Sequence, residues 1–324
     1  MKILFTADLH IKLGQKNVPV EWAKNRYDKL FREICNICAR EDVELLILGG
    51  DIFDKLPNMA ELELYFDFMM RIRCDTIIYS GNHEADKKNT TFLSNLKDIT
   101  YQISCATGNT RIHILDKAKS AFGIDFLPYN KLKEYASGSL DFHRTNRILC
   151  THVRGEIPPH VKPEVPLGLF ADWDMVLAGD LHSYSNSQLN ILYPGSPVTT
   201  SFHRSRVDTG VLLVDTETLE HNWHILDMPQ LIRKTIQAGE PMPQTDYDHT
   251  IYEVEGDMSE LSGLENSELL DKKVVKRDTD TTLILSPEMT IAHEVEEYLK
   301  YVLGLNDDAV SEVLKELNGV TINE

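Results

Sequence analysis

Leu45-Leu46-Ile47-Leu48-Gly49-Gly50-Asp51-Ile52-Phe53-Asp54 sets an apolar run directly against two glycines and two carboxylates three residues apart. It reads as a buried strand ending in a tight turn that delivers acid side chains to one edge of a sheet. A carboxylate placed there is costly to desolvate unless something positive meets it, and a metal ion is the usual solution. Asp51 is therefore the expected centre of a metal site.

Outward from that stretch, Lys2 to Ala7 reads as a strand that stops at Asp8-Leu9-His10. Glu21 to Arg40 has helical periodicity through Trp22, Tyr27, Leu30, Phe31, Ile34 and Ile37, and Met59 to Ile72 is again helical. Thr76 to Tyr79 is a third strand, ending at Gly81-Asn82-His83-Glu84. Strand, helix, strand, helix, strand is the signature of a layered α/β domain. From Ile112 the pattern changes to short strands, at Ile112 to Leu115, Ala121 to Leu127, Arg147 to Cys150, Met175 to Ala178, Ile191 to Tyr193, Val211 to Val214 and His221 to Leu226. They are expected to form a second sheet packed on the first, with helices outside both.

Pro229, Pro241 and Pro243 punctuate a boundary near residues 230–245. Beyond it, Thr250 to Val254 and Thr281 to Leu285 read as strands of a small α+β unit, and Lys272 to Arg277 as a solvated basic turn. Ile291 to Leu303 and Asp308 to Leu317 read as amphipathic helices joined at Gly304, with Val295, Tyr298, Leu299, Val302 and Leu303 on one apolar face and Val310, Val313, Leu314 and Leu317 on the other. The expected division is 1–230, 231–290 and 291–324.

The totals fit a soluble globular protein: 324 residues, 42% hydrophobic and 26% charged. No apolar run approaches a membrane span and the start carries Lys2, Asp8 and His10, so a cytoplasmic protein with no membrane partner is expected. Five scattered cysteines argue against a disulfide framework, and Cys35 and Cys38 read as two small helix residues. The net charge is −18; residues 231–324 hold 8 basic against 21 acidic residues, a net of −13, which leaves −5 on the rest. Such a chain repels polyphosphate at long range, so action on nucleic acid would call for another chain to supply much of the grip.

Each of the first three strands ends in metal-capable residues: Asp8 and His10, Asp51 and Asp54, Asn82 and His83. Two later strands do the same, at Thr151-His152 and Gly179-Asp180-Leu181-His182. Strand ends on one edge of an α/β sheet converge on a crevice, so these groups can meet in space. A mixed oxygen and imidazole set without thiolate suits manganese, iron or zinc in an open site. With this many donors a pair of ions sharing one carboxylate is plausible, a device that stabilises both oxygens of an in-line displacement at phosphorus.

Asp8-x-His10, Gly50-Asp51-x-x-Asp54, Gly81-Asn82-His83-Glu84, His152 and Gly179-x-x-His182 resemble the calcineurin-like metallophosphoesterase signature. The Gly-Asp-Ile-Phe-Asp form and the later Tyr193-Pro194-Gly195-Ser196-Pro197 are more narrowly similar to the SbcD family of nuclease subunits, which includes bacteriophage recombination endonucleases. The resemblance covers residues 1–230 by motif and the remainder only by layout. It implies a two-sheet αββα sandwich with a small α+β capping domain and C-terminal helices. It assigns one ion to Asp8, His10, Asp51 and His182 and the other to Asp51, Asn82, His152 and Asp180, with manganese the expected metal and magnesium an alternative. His83 matches the family's catalytic histidine, Glu84 is a candidate to orient it, and Asp54 a turn or supporting carboxylate. Where the family has Gly-His-x-His this chain has Gly179-Asp180-Leu181-His182, a harder ligand with added negative charge.

The function implied is double-strand 3′ to 5′ exonuclease and single-strand endonuclease action on DNA. The partner implied is an SMC-like, SbcC-type ABC ATPase gripped by the C-terminal region. A homodimer through helices near the site is also implied, for which 58–73 offers a surface. Two alternatives stay open: a phosphoesterase acting on a nucleotide or phosphoprotein, and an inactive phosphoesterase serving as a scaffold.

Overall fold

The computed structural model describes residues 1–85, 90–108, 111–275, 289–303 and 305–319. In chain order the first elements are β1 (Lys2–Thr6), α1 (Val20–Arg40), β2 (Leu45–Leu48), α2 (Met59–Arg71), β3 (Asp75–Tyr79), α3 (Lys97–Thr107) and β4 (Ile112–Leu115). There follow β5 (Lys119–Ala121), β6 (Ile124–Leu127), α4 (Tyr129–Ala136), β7 (Ile148–His152), β8 (Met175–Gly179), β9 (Ile191–Leu192), β10 (Gly210–Asp215) and β11 (His221–Ile225). The last are β12 (Leu231–Gln237), β13 (His249–Gly256), α5 (Met258–Ser262), β14 (Leu270–Val275), α6 (Ile291–Glu297) and α7 (Asp307–Gly319).

The first sheet runs β11-β10-β1-β2-β3-β4 and the second β5-β6-β7-β8-β9. Strands β1 to β4 run parallel to one another, as do β6 to β9, so each set presents its carboxyl ends along one edge. Side-chain alternation then sorts the layers. Ile3, Phe5, Leu45, Ile47 and Ile77 face the second sheet's Ile124, Phe126, Ile148, Cys150 and Leu177 in one buried cluster. The intervening Leu4, Leu46 and Ile78 pack on the helical side against Tyr27, Leu30, Phe31 and Phe68. Beyond the second sheet, Leu149 and Val176 pack against Leu132, Phe170 and Trp173. The result is the helix, sheet, sheet, helix layering of the expected α/β sandwich.

The assignment of strands to sheets departs from expectation. β4, β10 and β11 belong to the first sheet, not the second, and β10 and β11 join it antiparallel. β1 is thereby flanked on both sides and buried from Ile3 to Thr6, which suits the apolar run Ile3 to Phe5. The region 231–237, expected to be a boundary, is strand β12, and Lys272-Lys273 lies in strand β14 instead of a turn; these pair in a sheet of order β12-β13-β14. Thr281 to Leu285, Gly304, and residues 276–277 of the basic run lie outside the described residues.

The chain divides into two compact units. One comprises Met1–Ile236, Glu240–Glu253 and Asn266–Lys272; the other comprises Gln237–Gly239, Val254–Glu265 and Lys273–Glu324. In the second unit Asp257 caps α5 in a capping box with Glu260, and Thr290 caps α6. Leu299 and Val310 are buried there, while Tyr298, Tyr301, Val302, Leu303 and Val313 are exposed.

Candidate metal centre

The turn after β1 carries Asp8 and His10, and it is knitted to the turn after β2: Asp8 N donates to Gly50 O at 3.0 Å and His10 N to Asp51 O at 2.9 Å. Asp8, His10 and Asp51 all take positive φ, 57°, 45° and 50°. That region is uncommon for any residue but glycine, and its concentration at these strand ends is the backbone cost of turning their side chains together. Two glycines make the approach possible. Gly50 has φ 93°, and a Cβ on Gly81 would fall 2.1 Å from Asp51 Oδ1 and 2.7 Å from His152 Cε1.

At the centre is Asp51 Oδ2. His152 Nε2 lies 3.6 Å from it, His10 Nε2 3.7 Å and His83 Nε2 3.9 Å. The other oxygen, Oδ1, accepts from His83 N at 2.9 Å. His10 Nε2 and His182 Nε2 face each other at 3.2 Å. On the other flank Asn82 Oδ1 is 3.0 Å from His152 Nε2.

Electrostatics sharpen the picture. Burial, the largest influence, drives the Asp8 carboxyl well above its ordinary range, with the Asp51 charge adding to the rise against the opposing pull of His152. Burial followed by repulsion from His182 and His83 pushes His10 down to about 2. His182 is likewise lowered, chiefly by desolvation. Burial acts the same way on His152, but Asp51, Asp8 and Asp180 overcome it and raise that imidazole to about 9.

These are the marks of a site fitted to a cation. Asp8, His10 and His182 offer ligand atoms that all lie within 4.8 Å of one another, as do Asp8, Asp51 and His152, and His10, Asp51 and His83. Donors held at about 2.0 to 2.2 Å from one ion stand roughly 3 to 4 Å apart, so the 3.2 Å between the His10 and His182 nitrogens suits two ligands of one ion. The His10 Nδ1 atom is buried without a hydrogen-bond partner among the described residues, 3.8 Å from Asp54 Oδ1. A mixed oxygen and imidazole donor set without thiolate suits a divalent cation.

A calcineurin-like phosphoesterase model matches residues 1–189, the span that carries every one of these donors. The chain belongs to that family. "Probable exonuclease subunit 1" of Escherichia phage T5 is 40% identical over 322 residues, covering 97% of this chain and 97% of that protein. A protein of Invertebrate iridescent virus 6, provisionally named phosphoesterase 244L, is 27% identical over 252 residues, 71% of this chain and 83% of its own. The crystal structure of Pseudomonas putida nuclease MPE aligns over 69% of this chain and 87% of that one, at 14% identity and a TM-score of 0.31, too low to bear weight. As a calcineurin-like phosphoesterase, the chain belongs to a family that binds divalent metal and hydrolyses phosphoesters.

Three expected roles look different in this phosphoesterase fold. Glu84 does not touch the His83 ring. Its Oε2 accepts from Asp51 N at 2.9 Å and Gly81 N at 2.8 Å, and its Oε1 from Phe53 N at 2.9 Å, so it clamps the two ligand-bearing turns together. Burial, with Asp51 assisting, raises it to about 7. The His83 ring is held instead by the Asp54 backbone carbonyl, 2.6 Å from Nδ1, while the Asp54 carboxylate pairs with Lys12 at 2.8 Å. Asp180 turns its carboxylate to Arg154, and its backbone N donates to both Asp8 oxygens at 3.1 Å.

Supporting residues that the sequence did not announce complete the centre. Ser196, in the turn after β9, places its hydroxyl 2.7 Å from the Asp8 carbonyl oxygen and 2.6 Å from that of Val198. Thr200 Oγ1 lies 3.1 Å from His182 Nδ1, the Gly49 carbonyl 2.9 Å from His152 Nδ1, and Tyr27 donates its hydroxyl to the His10 carbonyl. Such partners fix which imidazole nitrogen faces an ion. Pro194-Gly195-Ser196-Pro197 was the visible trace of one of them; Thr200 and Tyr27 left none.

Proposed function

We propose that this chain is the nuclease subunit of a DNA recombination and repair complex, cutting phosphodiesters with the help of two manganese ions. The carrying observation is the convergence of imidazoles from three separate strand ends within 4 Å of one carboxylate oxygen, Asp51 Oδ2. The near full-length likeness to a phage protein named as an exonuclease subunit supports DNA as substrate and a partner chain.

Asp8, His10, Asp51 and His182 would hold one ion, and Asp51, Asn82, His152 and Asp180 the other, so that Asp51 bridges. Bound there, divalent ions lower the pKa of water and neutralise charge developing on the phosphoryl oxygens. With Nδ1 donating to the Asp54 carbonyl, the His83 ring aims Nε2 into the cluster, where in its protonated form it donates to a phosphate or leaving oxygen. Its half-exposed position leaves room for substrate. The reading extends to 3′ to 5′ exonuclease action on duplex ends, endonuclease action on single strands, an SMC-like ABC ATPase partner bound through residues 291–324, a homodimer, a capping role for 231–290 and a cytoplasmic location. Among the described residues no helix is long and apolar enough to cross a membrane.

The test is to offer the purified chain linear duplex DNA and a chromogenic phosphodiester side by side with manganese. Release of 3′ nucleotides that disappears in His83→Gln is expected. Turnover of the small ester alone would sink the DNA reading in favour of a small-substrate phosphoesterase.

A further inference from the structure

The Arg154 guanidinium forks onto Asp180, Nε to Oδ2 at 3.0 Å and Nη2 to Oδ1 at 3.2 Å. The Asp180 side chain is 6% exposed and that of Arg154 44% exposed, so the pair leads from the cluster to the surface. Asp180 is absent from every group of converging ligand atoms among the described residues. Its backbone is nonetheless pinned into the centre by the two bonds to Asp8, at a φ of 100° that a non-glycine residue adopts only at a cost. The carboxylate that the metal reading assigns to the His152 side is thus occupied by a side chain from the loop after β7.

We propose that Arg154 competes with the ion on the His152 side for the Asp180 carboxylate: Asp180 ligates that ion only when Arg154 releases it, and Arg154 thereby sets how tightly the ion is held. The inference rests on the metal reading of the cluster. A carboxylate engaged on both oxygens by a guanidinium has lost its best lone pairs for a metal, and the guanidinium itself is a permanent charge that opposes a dication nearby. On the His152 side the remaining donors are Asn82, His152 and the shared Asp51, two of them neutral as ligands. On the His10 side the donors Asp8, His10 and His182 carry no guanidinium partner among the described residues. Two ions would therefore bind with unequal affinity, the weaker on the side that Arg154 guards.

The experiment is a manganese titration of the chelator-stripped full chain by calorimetry, with free manganese counted by its paramagnetic resonance, so that no turnover is needed. Arg154→Met keeps the aliphatic stem at an exposed position and removes the fork; Asp180→Asn keeps a residue that tolerates the left-handed backbone. The wild type is expected to bind in two steps. Arg154→Met should tighten the weaker step by roughly tenfold or more, the scale on which outer partners of ligands act. Asp180→Asn should loosen it, and in the double variant most of the gain from Arg154→Met should vanish. An unchanged weaker step in Arg154→Met, repeated with Arg154→Gln, overturns the proposal while leaving the metal site standing. A gain that survives undiminished in the double variant also overturns it, since Arg154 would then act by charge alone. A wild type that takes up no manganese brings down both readings.

Discussion

His10 and His152 lie 3.7 and 3.6 Å from the same Asp51 oxygen, both are buried, and the protein treats them in opposite ways. His10 is driven down to about 2 and His152 up to about 9. Burial disfavours the charged form of each, so burial is not what separates them. The neighbours are: His10 faces His182 and His83, whereas His152 faces Asp51, Asp8 and Asp180. One side of the centre offers neutral nitrogens with free lone pairs. The other holds a proton as stand-in counter-charge that an incoming cation must displace, so binding there releases a proton.

The largest break in this comparison is Asp51→Asn. It removes the carboxylate that both sides share, and a loss of hydrolysis beyond roughly a thousandfold is expected, since electrostatic stabilisation of the transition state is lost along with the ions. Steady-state DNA hydrolysis with manganese in excess measures it. Nuclear magnetic resonance of the stripped variant should at the same time show the His152 titration falling toward that of an ordinary imidazole. Activity within tenfold of wild type would mean that Asp51 is not the bridge.

Acidity sharpens the contrast in the metal-free chain. The His152 pKa is raised from 6.5 to about 9, so its contribution to stability is fully present below pH 6.5 and is lost as pH climbs through 9. At 1.36 kcal/mol per pKa unit that is about 3 kcal/mol. His10 runs the other way: lowered from 6.5 to about 2, it supports the fold above pH 6.5 and withdraws that support as pH falls below it. Urea unfolding of stripped protein from pH 6.5 to 9 should show the alkaline loss, and His152→Asn should flatten it. A wild-type curve that is level over this window would mean the imidazole is not held charged.

How far the sequence disclosed all this depends on range. Strand ends bearing Asp8, Asp51, Asn82, His152 and His182 were legible because each follows a short apolar run in the chain itself. The membership of β10 and β11 in the first sheet was not, since it rests on antiparallel pairing such as Ile3 with Val214, between residues distant in sequence. β12 hid because its exposed residues, Lys234, Thr235 and Gln237, read as loop between Pro229 and Pro241. Arg154 carried no motif at all: only the fold brings it to Asp180. Glu84 was noticed beside His83 and given the wrong neighbour, because adjacency in sequence says little about where a buried carboxylate finds its donors.

That carboxylate supplies the next smaller test, directed at what both sides of the centre share. Glu84 accepts from three backbone N–H groups on two turns. A glutamine there keeps one acceptor oxygen and sets an NH₂ group against a backbone donor, leaving at least one buried N–H unpaired. A destabilisation of about 1 to 3 kcal/mol is expected from urea unfolding at pH 8, above the pKa of about 7 at which the wild-type carboxylate is charged. An unchanged midpoint would show that the turns hold without the clamp.

The smallest effect separates the two sides again, through the partners that orient their imidazoles. His152 Nδ1 meets the Gly49 carbonyl, a backbone group that no substitution removes, whereas His182 Nδ1 meets the Thr200 hydroxyl. Thr200→Val is close in shape and deletes only that contact. A ligand imidazole without its outer partner is free to swing and is a poorer donor, so manganese affinity should fall by roughly tenfold. Only the step assigned to the His10 side should weaken, because Thr200 touches no donor of the other. Calorimetric titration of stripped Thr200→Val resolves which step moves. Weakening of both steps together would mean that the two sides of Asp51 do not bind independently, and that the asymmetry between His10 and His152 in the metal-free chain does not survive loading.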